Sequence, residues 1–470
     1  MLFLTLESPM NRLLQGQEHL ARGSAAMGVL GFRQLPPDRS RPPVNTRRHA
    51  SLGEGAILAL SVIAFFFVMT SYYVIRPVRD QLVGAAGSSS LPMFYAIVLV
   101  VMLALTPVFG WLVSRFPRKR VLMGSYLFFA ACLVAFIPAF AVQDRIGAVA
   151  LGRVFFVWVS VFNLFVVSLF WSFMADIYRS VQARLMFPFI AFGGMAGALA
   201  GPLLTSLLVA RIGVPALLVV SAATLLIALG LLLALSTGGV ANDTSGGAPV
   251  GGSLLDGAKA AFAQPFLRYM AILMLLSDGI ATLAYALMAD YTKVHYPNIA
   301  ARTAFYADLD LWINGFGAVL QLTVTPLILR GLGTVWAMVL PTVVNFVLLG
   351  LLGIYGPADI AVFGSVVSLL TIVQIGTRGM TYGMTKPASD ALYTRMPRDA
   401  RYKGKNFIET TVWRFGDVLV TSLLTALRGL GVGIAGLGLI SAALCGVATI
   451  VARRAATSPD LLPESGAKDA

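Results

Sequence analysis

Long apolar segments alternate with short polar or basic ones along most of the chain. A helix needs about 20 mostly apolar residues to cross the hydrocarbon core of a bilayer. Segments of that kind fall into two sets of six. The first set covers 55–76, 91–114, 120–141, 148–175, 185–209 and 214–236, and the second covers 266–290, 305–329, 333–355, 359–384, 407–428 and 431–452. The pattern predicts an all-α integral membrane protein with twelve transmembrane helices in two six-helix bundles.

Polar segments frame and separate the two predicted bundles. Residues 1–50 include the Pro-rich stretch 35–43 and hold no long apolar core, so they predict a disordered, basic cytoplasmic tail within which Met27 is an alternative start. Residues 237–263 are rich in Gly and Ser and predict a flexible cytoplasmic linker. The remaining domains are an amino-terminal bundle at 51–236, a carboxy-terminal bundle at 264–455 and a tail at 456–470.

Composition excludes an ordinary water-soluble enzyme. Of the 470 residues, 58% are apolar and 12% are charged, against roughly 45–50% and 25% in soluble domains. So few charges cannot cover the surface of a globule in water.

The net charge of +14 reflects topology. Lys and Arg are concentrated in the connections that share a side with the amino terminus, and basic residues collect in cytoplasmic loops. We therefore expect a multi-pass membrane protein with both termini in the cytoplasm. A bilayer is its expected environment, and no nucleic-acid partner is expected.

The chain lacks the usual signatures of enzymes and metal sites. Cys132 and Cys445 lie inside apolar segments, no His falls within a predicted span, and neither a phosphate-binding loop nor an HExxH motif occurs. We expect no cofactor, no metal and no catalytic activity.

A weak internal repeat relates the two predicted bundles. Ile177-Tyr-Arg-Ser follows the fourth span, and Leu392-Tyr-Thr-Arg follows the tenth. A parallel repeat of this kind places the substrate near the bilayer midplane, between the bundles.

Gly193, Gly197 and Gly201 recur at four-residue spacing in the fifth span. Small residues on one helix face allow two backbones to approach closely, so this stripe predicts a helix-packing surface.

Ionisable side chains within or beside the spans are the candidate functional residues, because burying charge in a bilayer is costly. Guanidinium groups bind phosphate and carboxylate in a bidentate manner. Snorkelling or paired structural charges are the alternative interpretation, and the aromatic residues nearby could simply pack. The expected substrate-binding residues are Arg76, Arg79, Arg378, Lys386 and Arg414, with Tyr73 and Trp171.

Acidic residues supply the expected coupling and gating groups, which are Asp80, Asp278 and Asp417. Arg414 and Asp417 are one helical turn apart, so an ion pair between them is sterically possible. Asp308 and Asp310 begin the eighth span and complete the set of charges in or near the bilayer.

The connection Gly110–Arg120 resembles the Gly-x-Leu-x-Asp-Arg-x-Gly-Arg-Lys-Arg loop of the major facilitator superfamily. The resemblance implies that fold and a gating role for Arg115 and Arg118. Ser114 and Pro117 replace the Asp and Gly of that pattern, and a simple positive-inside anchor is the alternative.

Three further stretches resemble the ATP/ADP translocases of intracellular bacteria and plastids. They are Tyr72-Tyr-Val-Ile-Arg-Pro-Val-Arg-Asp80, Phe170-Trp-Ser-Phe-Met-Ala175, and Lys386-Pro-Ala-Ser-Asp-Ala-Leu-Tyr393 with Tyr402-Lys-Gly-Lys405. The resemblance implies exchange of nucleotides or another phosphorylated anion, with Arg79 and Lys386 as cationic contacts. Asp417 stands where that family has Lys, so the fold transfers better than the substrate.

Two other functions are compatible with the same pattern. One is a proton-coupled facilitator for a different solute, such as a drug or a peptide. The other is a non-transporting membrane partner or sensor. The expected partner is a small anionic solute, with nucleotides among the candidates. A monomer is compatible with the sequence.

Overall fold

The computed structural model describes residues 53–178, 180–237, 259, 262–362, 364–397 and 404–462. Helices account for almost all of these residues. The predicted amino-terminal tail and most of the predicted linker lie outside them.

The described part of the amino-terminal half consists of five long helices joined by short turns. A short helical turn, Gln143–Ile146, precedes the fourth of them. The helices are α1 (Glu54–Ala86), α2 (Leu91–Arg115), α3 (Arg118–Ala141), α4 (Ala148–Ile177) and α5 (Ser180–Thr237).

The described part of the carboxy-terminal half contains seven main helices and one hairpin. The helices are α6 (Pro265–His295), α7 (Ile299–Gly331), α8 (Gly333–Tyr355), α9 (Leu369–Met380), α10 (Lys386–Tyr393), α11 (Trp413–Gly429) and α12 (Ile434–Ala456). The hairpin pairs β1 (Asp359–Val362) with β2 (Ser365–Ser368).

Within the described ranges, nine helices are long and apolar enough to cross a bilayer. The protein is therefore a multi-pass membrane protein. The count of twelve spans and the division into two bundles stay predictions.

The predicted tenth span, 359–384, is wrong at its beginning. Residues Asp359–Ser368 form the antiparallel hairpin around Gly364, whose φ of 81° suits a glycine. The helix begins only at Leu369, where the Ser368 hydroxyl accepts a hydrogen bond from the Leu370 backbone N–H. Apolar residues on both strands give a hairpin the same hydropathy as a helix, which explains the error.

The chain doubles back within α5. Gly213 has a φ of 75°, at the boundary between the predicted fifth and sixth spans. Thr205 donates a hydrogen bond to the carbonyl of Val74, and the Ser221 hydroxyl donates to that of Ser71. Positions eight residues on either side of Gly213 thus meet α1 within one turn, which a straight helix cannot achieve.

The glycine stripe of α5 packs directly against α1. A Cβ added at Gly193 would lie 2.5 Å from the carbonyl O of Val62, and one added at Gly201 would lie 2.6 Å from the Cβ of Tyr73. A Cβ added at Gly197 would lie closer still to the carbonyl O of Phe66. The predicted packing role is confirmed, and the seam fixes α1 against α5.

Three π-helical turns occur among the described residues of the carboxy-terminal half. These turns are Leu320–Val324 within α7, Thr381–Thr385 between α9 and α10, and Ile408–Val412 before α11. Such turns carry one extra residue and are frequent near functional sites.

We expect Gly193→Ala to lower thermal stability, because the methyl group would clash with a backbone atom that cannot rotate away. The expected cost is about 1–3 kcal/mol, measured as a lower unfolding temperature of purified protein in detergent. Gly230→Ala is the matched control, because no atom lies within 4 Å of its added Cβ. Equal unfolding temperatures for the two variants would contradict the packing role.

Candidate functional site

Helix α1 brings three charged residues to the boundary between the two halves. It packs on α4 and α5 of its own half and on α6 and α7 of the other. Arg76 and Asp80 are 6% and 3% exposed, and Arg79 lies beside them. Buried charges this deep require partners, and α1 finds them in both halves.

Arg76 pairs with an aspartate of the opposite half. Its Nη2 lies 3.4 Å from Oδ1 of Asp310 on α7, and its Nε lies 4.0 Å from Oδ2 of Asp80. The guanidinium also lies over the ring of Tyr73 at 5.3 Å from its centroid. Both the Nε of Arg76 and the Oδ2 of Asp310 lack a hydrogen-bond partner. This pair therefore retains one free donor and one free acceptor for hydrogen bonds.

Arg79 and Asp80 form a second link between the halves. Arg79 Nε and Nη2 each lie 2.7 Å from Oδ1 of Asp80, and the Tyr285 hydroxyl of α6 donates to the same oxygen at 2.8 Å. The Arg79 guanidinium also stacks over the ring of Phe156 on α4 at 4.9 Å.

Asp278 and Asp417 form an acidic pair between α6 and α11. Thr282 lies one turn after Asp278 and donates a hydrogen bond to Asp417 Oδ1 at 2.9 Å. Arg414 Nη1 lies 3.5 Å from Asp417 Oδ2, so the predicted ion pair is confirmed. Asp278 Oδ2 is buried and has no hydrogen-bond partner.

Arg378 on α9 lies between these two groups of charges. It interacts electrostatically with Arg76 and Asp310 of the first group and with Asp278 of the second. Its guanidinium lies over the ring of Tyr285 at 5.1 Å. It makes no ion pair with any described carboxylate, and its Nε has no hydrogen-bond acceptor.

These residues form the central cluster, which contains four cations and four carboxylates from both halves of the molecule. Its members are Arg76, Arg79, Asp80, Asp278, Asp310, Arg378, Arg414 and Asp417.

Two predicted binding residues lie elsewhere. Lys386 Nζ lies 2.5 Å from Oε1 of Glu409 and 3.9 Å from Oδ1 of Asp390, in a network that also includes Lys405. Trp171 is 3% exposed and packs with aromatic rings inside the amino-terminal half, among them Phe65 at 5.1 Å. The structure therefore does not place either side chain in the central cluster.

The two predicted gating arginines, Arg115 and Arg118, have different surroundings. Arg118 forms an ion pair with Asp176 at the end of α4, which ties the α2–α3 connection to its own half. Arg115 is exposed at the end of α2.

A third polar group, which sequence reasoning missed, joins the halves at the end of the bundle that holds Gly87. Asp290 accepts hydrogen bonds from the Ser88 backbone N–H and hydroxyl, each at 2.7 Å, and pairs with Arg428. Lys293 donates to the carbonyl of Ala86 at 3.1 Å. We call Ser88, Asp290, Lys293 and Arg428 the Gly87 lock.

Nothing in the sequence distinguishes the lock from ordinary loop charges. Its members lie in three separate connections or helix ends, up to 340 residues apart. Only the packing of α1, α6 and α11 brings them together.

The two ends of the bundle differ in how the halves meet. Near Pro117, at the opposite end from Gly87, polar contacts between described residues join helices of the same half. Examples are Arg118–Asp176, Ser61–Tyr178 and Lys386–Glu409. Polar links between halves, among the described residues, lie at the central cluster or nearer Gly87. The boundary is thus closed at the Gly87 end.

Within the part of the chain that the structure describes, no group of three or more His, Cys, Asp or Glu side chains is arranged to hold a metal ion.

Known proteins share the fold without close sequence similarity. No protein-family model and no curated protein matches the chain. A mutant of the nucleoside transporter NupG matches at a TM-score of 0.60 and 13% identity, covering 85% of this chain and 98% of its own. An inward-facing bacterial homologue of the iron transporter ferroportin matches at 0.61 and 14%, with 86% and 100% covered.

The POT-family transporter PepTSo matches at a TM-score of 0.56 and 14% identity, covering 86% of this chain and 98% of its own. The chain therefore shares the fold of these three transporters.

We expect Arg428→Ala to loosen the Gly87 lock. Val83, 1% exposed beneath the lock, would be replaced by Cys in a background with Cys132 and Cys445 changed to Ala. Labelling by a maleimide in detergent should become about two- to fivefold faster, because an ion pair that is about 30% exposed contributes ~0.5–1 kcal/mol.

Arg211→Ala is the control for that experiment, because Arg211 is exposed on α5 and makes no described link to the other half. Equal labelling rates in the Arg428 and Arg211 variants would show that the lock does not hold the halves together.

Proposed function

We propose that the chain is a secondary transporter that works by alternating access and carries a small organic anion between its halves. The observation that supports this most strongly is Arg378, a half-buried cation without an ion-pair partner among the described residues, placed between charges of both halves. An unpaired guanidinium in a bilayer is costly. A bound anion would compensate it.

The proposed cycle uses the links between halves as reversible contacts. Arg76–Asp310 and Asp80–Tyr285 connect α1 to α7 and α6, so they must part when the halves rock. The substrate would enter from the Pro117 end and pair with Arg378. The Gly87 lock would then open and release it on the other side.

Charge balance limits the proposed substrate. The central cluster contains four guanidinium groups and four carboxylates, so it is neutral when all are ionised. A substrate anion would leave it negative unless a proton joins it. Asp278 and Asp417 would share that proton, since two neighbouring buried carboxylates do not both ionise readily.

Phosphorylated organic anions, with nucleotides among them, are the substrates that we propose first. Guanidinium groups suit phosphate oxygens, and the motifs around Tyr72 and Lys386 resemble nucleotide exchangers. The proposed role of Lys386 is on the entry path at the Pro117 end, while Trp171 would support the packing of α4.

A proton-coupled facilitator of a different solute is the second candidate. The orphaned carboxylate oxygen of Asp278 favours it. In this version the proton drives transport and the solute need not carry phosphate.

The proposed setting is the bacterial inner membrane, with both termini in the cytoplasm and the Gly87 end facing outward. Bundles at 51–236 and 264–455 would rock about the central cluster. A monomer would contain the whole pathway.

Arg378→Gln should weaken substrate binding by about 10–100-fold, because a hydrogen bond to a charged group contributes about 1.5–3 kcal/mol. The measurement is uptake of labelled nucleotides and sugar phosphates into proteoliposomes, with and without the same compound inside. Arg453→Gln is the control, since Arg453 is exposed at the end of α12. If no nucleotide or sugar phosphate is transported by the wild type, the phosphorylated-anion proposal fails.

Asp278→Asn should abolish uptake driven by a proton gradient while leaving exchange of internal for external substrate. The amide keeps the size of the carboxyl but cannot carry the proton. Asp359→Asn, in the exposed hairpin, is the control. Gradient-driven uptake at the wild-type rate in the Asp278 variant would exclude this carboxyl as the proton carrier.

A further inference from the structure

A deep apolar groove lies on the outer face of the amino-terminal half, away from the central cluster. It is bounded by α2, α3 and α4 and has a volume of about 830 Å³. Phe128 and Val154 on its walls are 61% and 59% exposed, so the groove opens sideways toward the bilayer.

The groove follows from how these three helices pack. All the buried residues of α2 lie between Leu91 and Val98, so the rest of α2 is less closely covered by its neighbours. On α3 the lining positions 120, 124 and 128 repeat every four residues, and on α4 positions 154, 158 and 161 do the same at three or four. One face of each helix therefore lines the groove.

Glycine keeps the groove open on the α3 side. A Cβ added at Gly124 would have no atom within 4 Å, although Phe128 and Phe129 lie one turn further along α3. The opposite wall, formed by α4, includes the ring of Trp158.

The lining is apolar apart from Ser125 on α3 and the arginines at its two ends. Arg120 is at the start of α3, at the Pro117 end, and Arg153 is near the start of α4, at the Gly87 end. Both are exposed, and neither forms an ion pair with a residue in the described ranges. Each guanidinium thus lies at one end of the apolar groove, with its charge uncompensated by any described residue.

We propose that this groove binds an anionic phospholipid of the surrounding bilayer, with the phosphate on Arg120 and the acyl chains along α3 and α4. Charge complementarity favours the Arg120 end over the Arg153 end. Arg115 and Lys119 add positive charge there, and basic sites between helices attract anionic head groups. Arg118 does not contribute, because Asp176 neutralises it.

A bilayer lipid fits this site better than a water-soluble solute does. The walls are aliphatic and aromatic, and the opening faces the hydrocarbon region, where acyl chains are the available molecules. Behind the groove wall, the buried ring of Phe162 packs on the rings of Phe129 and Trp158, with 5.4 Å between centroids in each case. The site is independent of the transport pathway proposed above.

The experiment compares lipid retention in the purified, delipidated full chain. Phosphatidylglycerol and phosphatidylcholine with identical acyl chains are added, and bound lipid is counted by native mass spectrometry alongside the unfolding temperature. We expect phosphatidylglycerol to be retained, and to raise the unfolding temperature, more than phosphatidylcholine does. Equal retention and equal shifts would overturn the proposal.

Two pairs of variants locate the site. Gly124→Leu should obstruct the groove and weaken retention of the lipid, whereas Gly230→Leu, at an equally open glycine of α5, should leave retention unchanged. Arg120→Gln should weaken phosphatidylglycerol binding about tenfold, as expected for one charge-assisted contact. Arg330→Gln, at the exposed end of α7, should leave it unchanged.

The arginine pair decides the matter even if the Gly124 variant does not fold. Retention of phosphatidylglycerol by the Arg120 variant at the wild-type level would overturn the proposal, as would a loss seen only with Arg153→Gln. Transport plays no part in these measurements, so failure of the proposed function would leave their outcome unaffected.

Discussion

The ion pair between Arg76 and Asp310 shows the constraint on which the rest of this bundle depends. Ionised groups surrounded by lipid-facing helices must neutralise each other. Here the neutralising groups come from different halves, since Arg76 belongs to α1 and Asp310 to α7. Charge compensation and contact between the halves are therefore the same interaction, and neither can change without the other.

Helix α1 is held firmly on one side and reversibly on the other. Its glycine-lined contact with α5 involves backbone atoms and leaves no room for adjustment. Its contacts with α6 and α7 are polar and depend on a few side chains, such as Asp80 with Tyr285. Motion between the halves would thus move α1 together with α5 and disturb only the polar side.

Hydropathy and local spacing predicted the parts of this structure that depend on neighbours in sequence. The apolar segments, the glycine stripe and the Arg414–Asp417 pair all follow from helical periodicity. The hairpin at 359–368 was missed because its strands are as apolar as a helix. Asp290 with Arg428, and Lys386 with Glu409, depend on how separate helices dock. A one-dimensional pattern carries no information about that docking.

The π-helical turn at Thr381–Thr385 sets the relative orientation of Arg378, which precedes it, and Lys386, which follows it. An α-helix turns by about 100° per residue, and a π turn absorbs one additional residue. Removing a single residue from this turn would rotate everything beyond it by about that angle. Lys386 would then leave the face from which it reaches Glu409, although its own side chain would be unchanged. The length of this turn should therefore be as strictly constrained as the identity of the charged residues beside it.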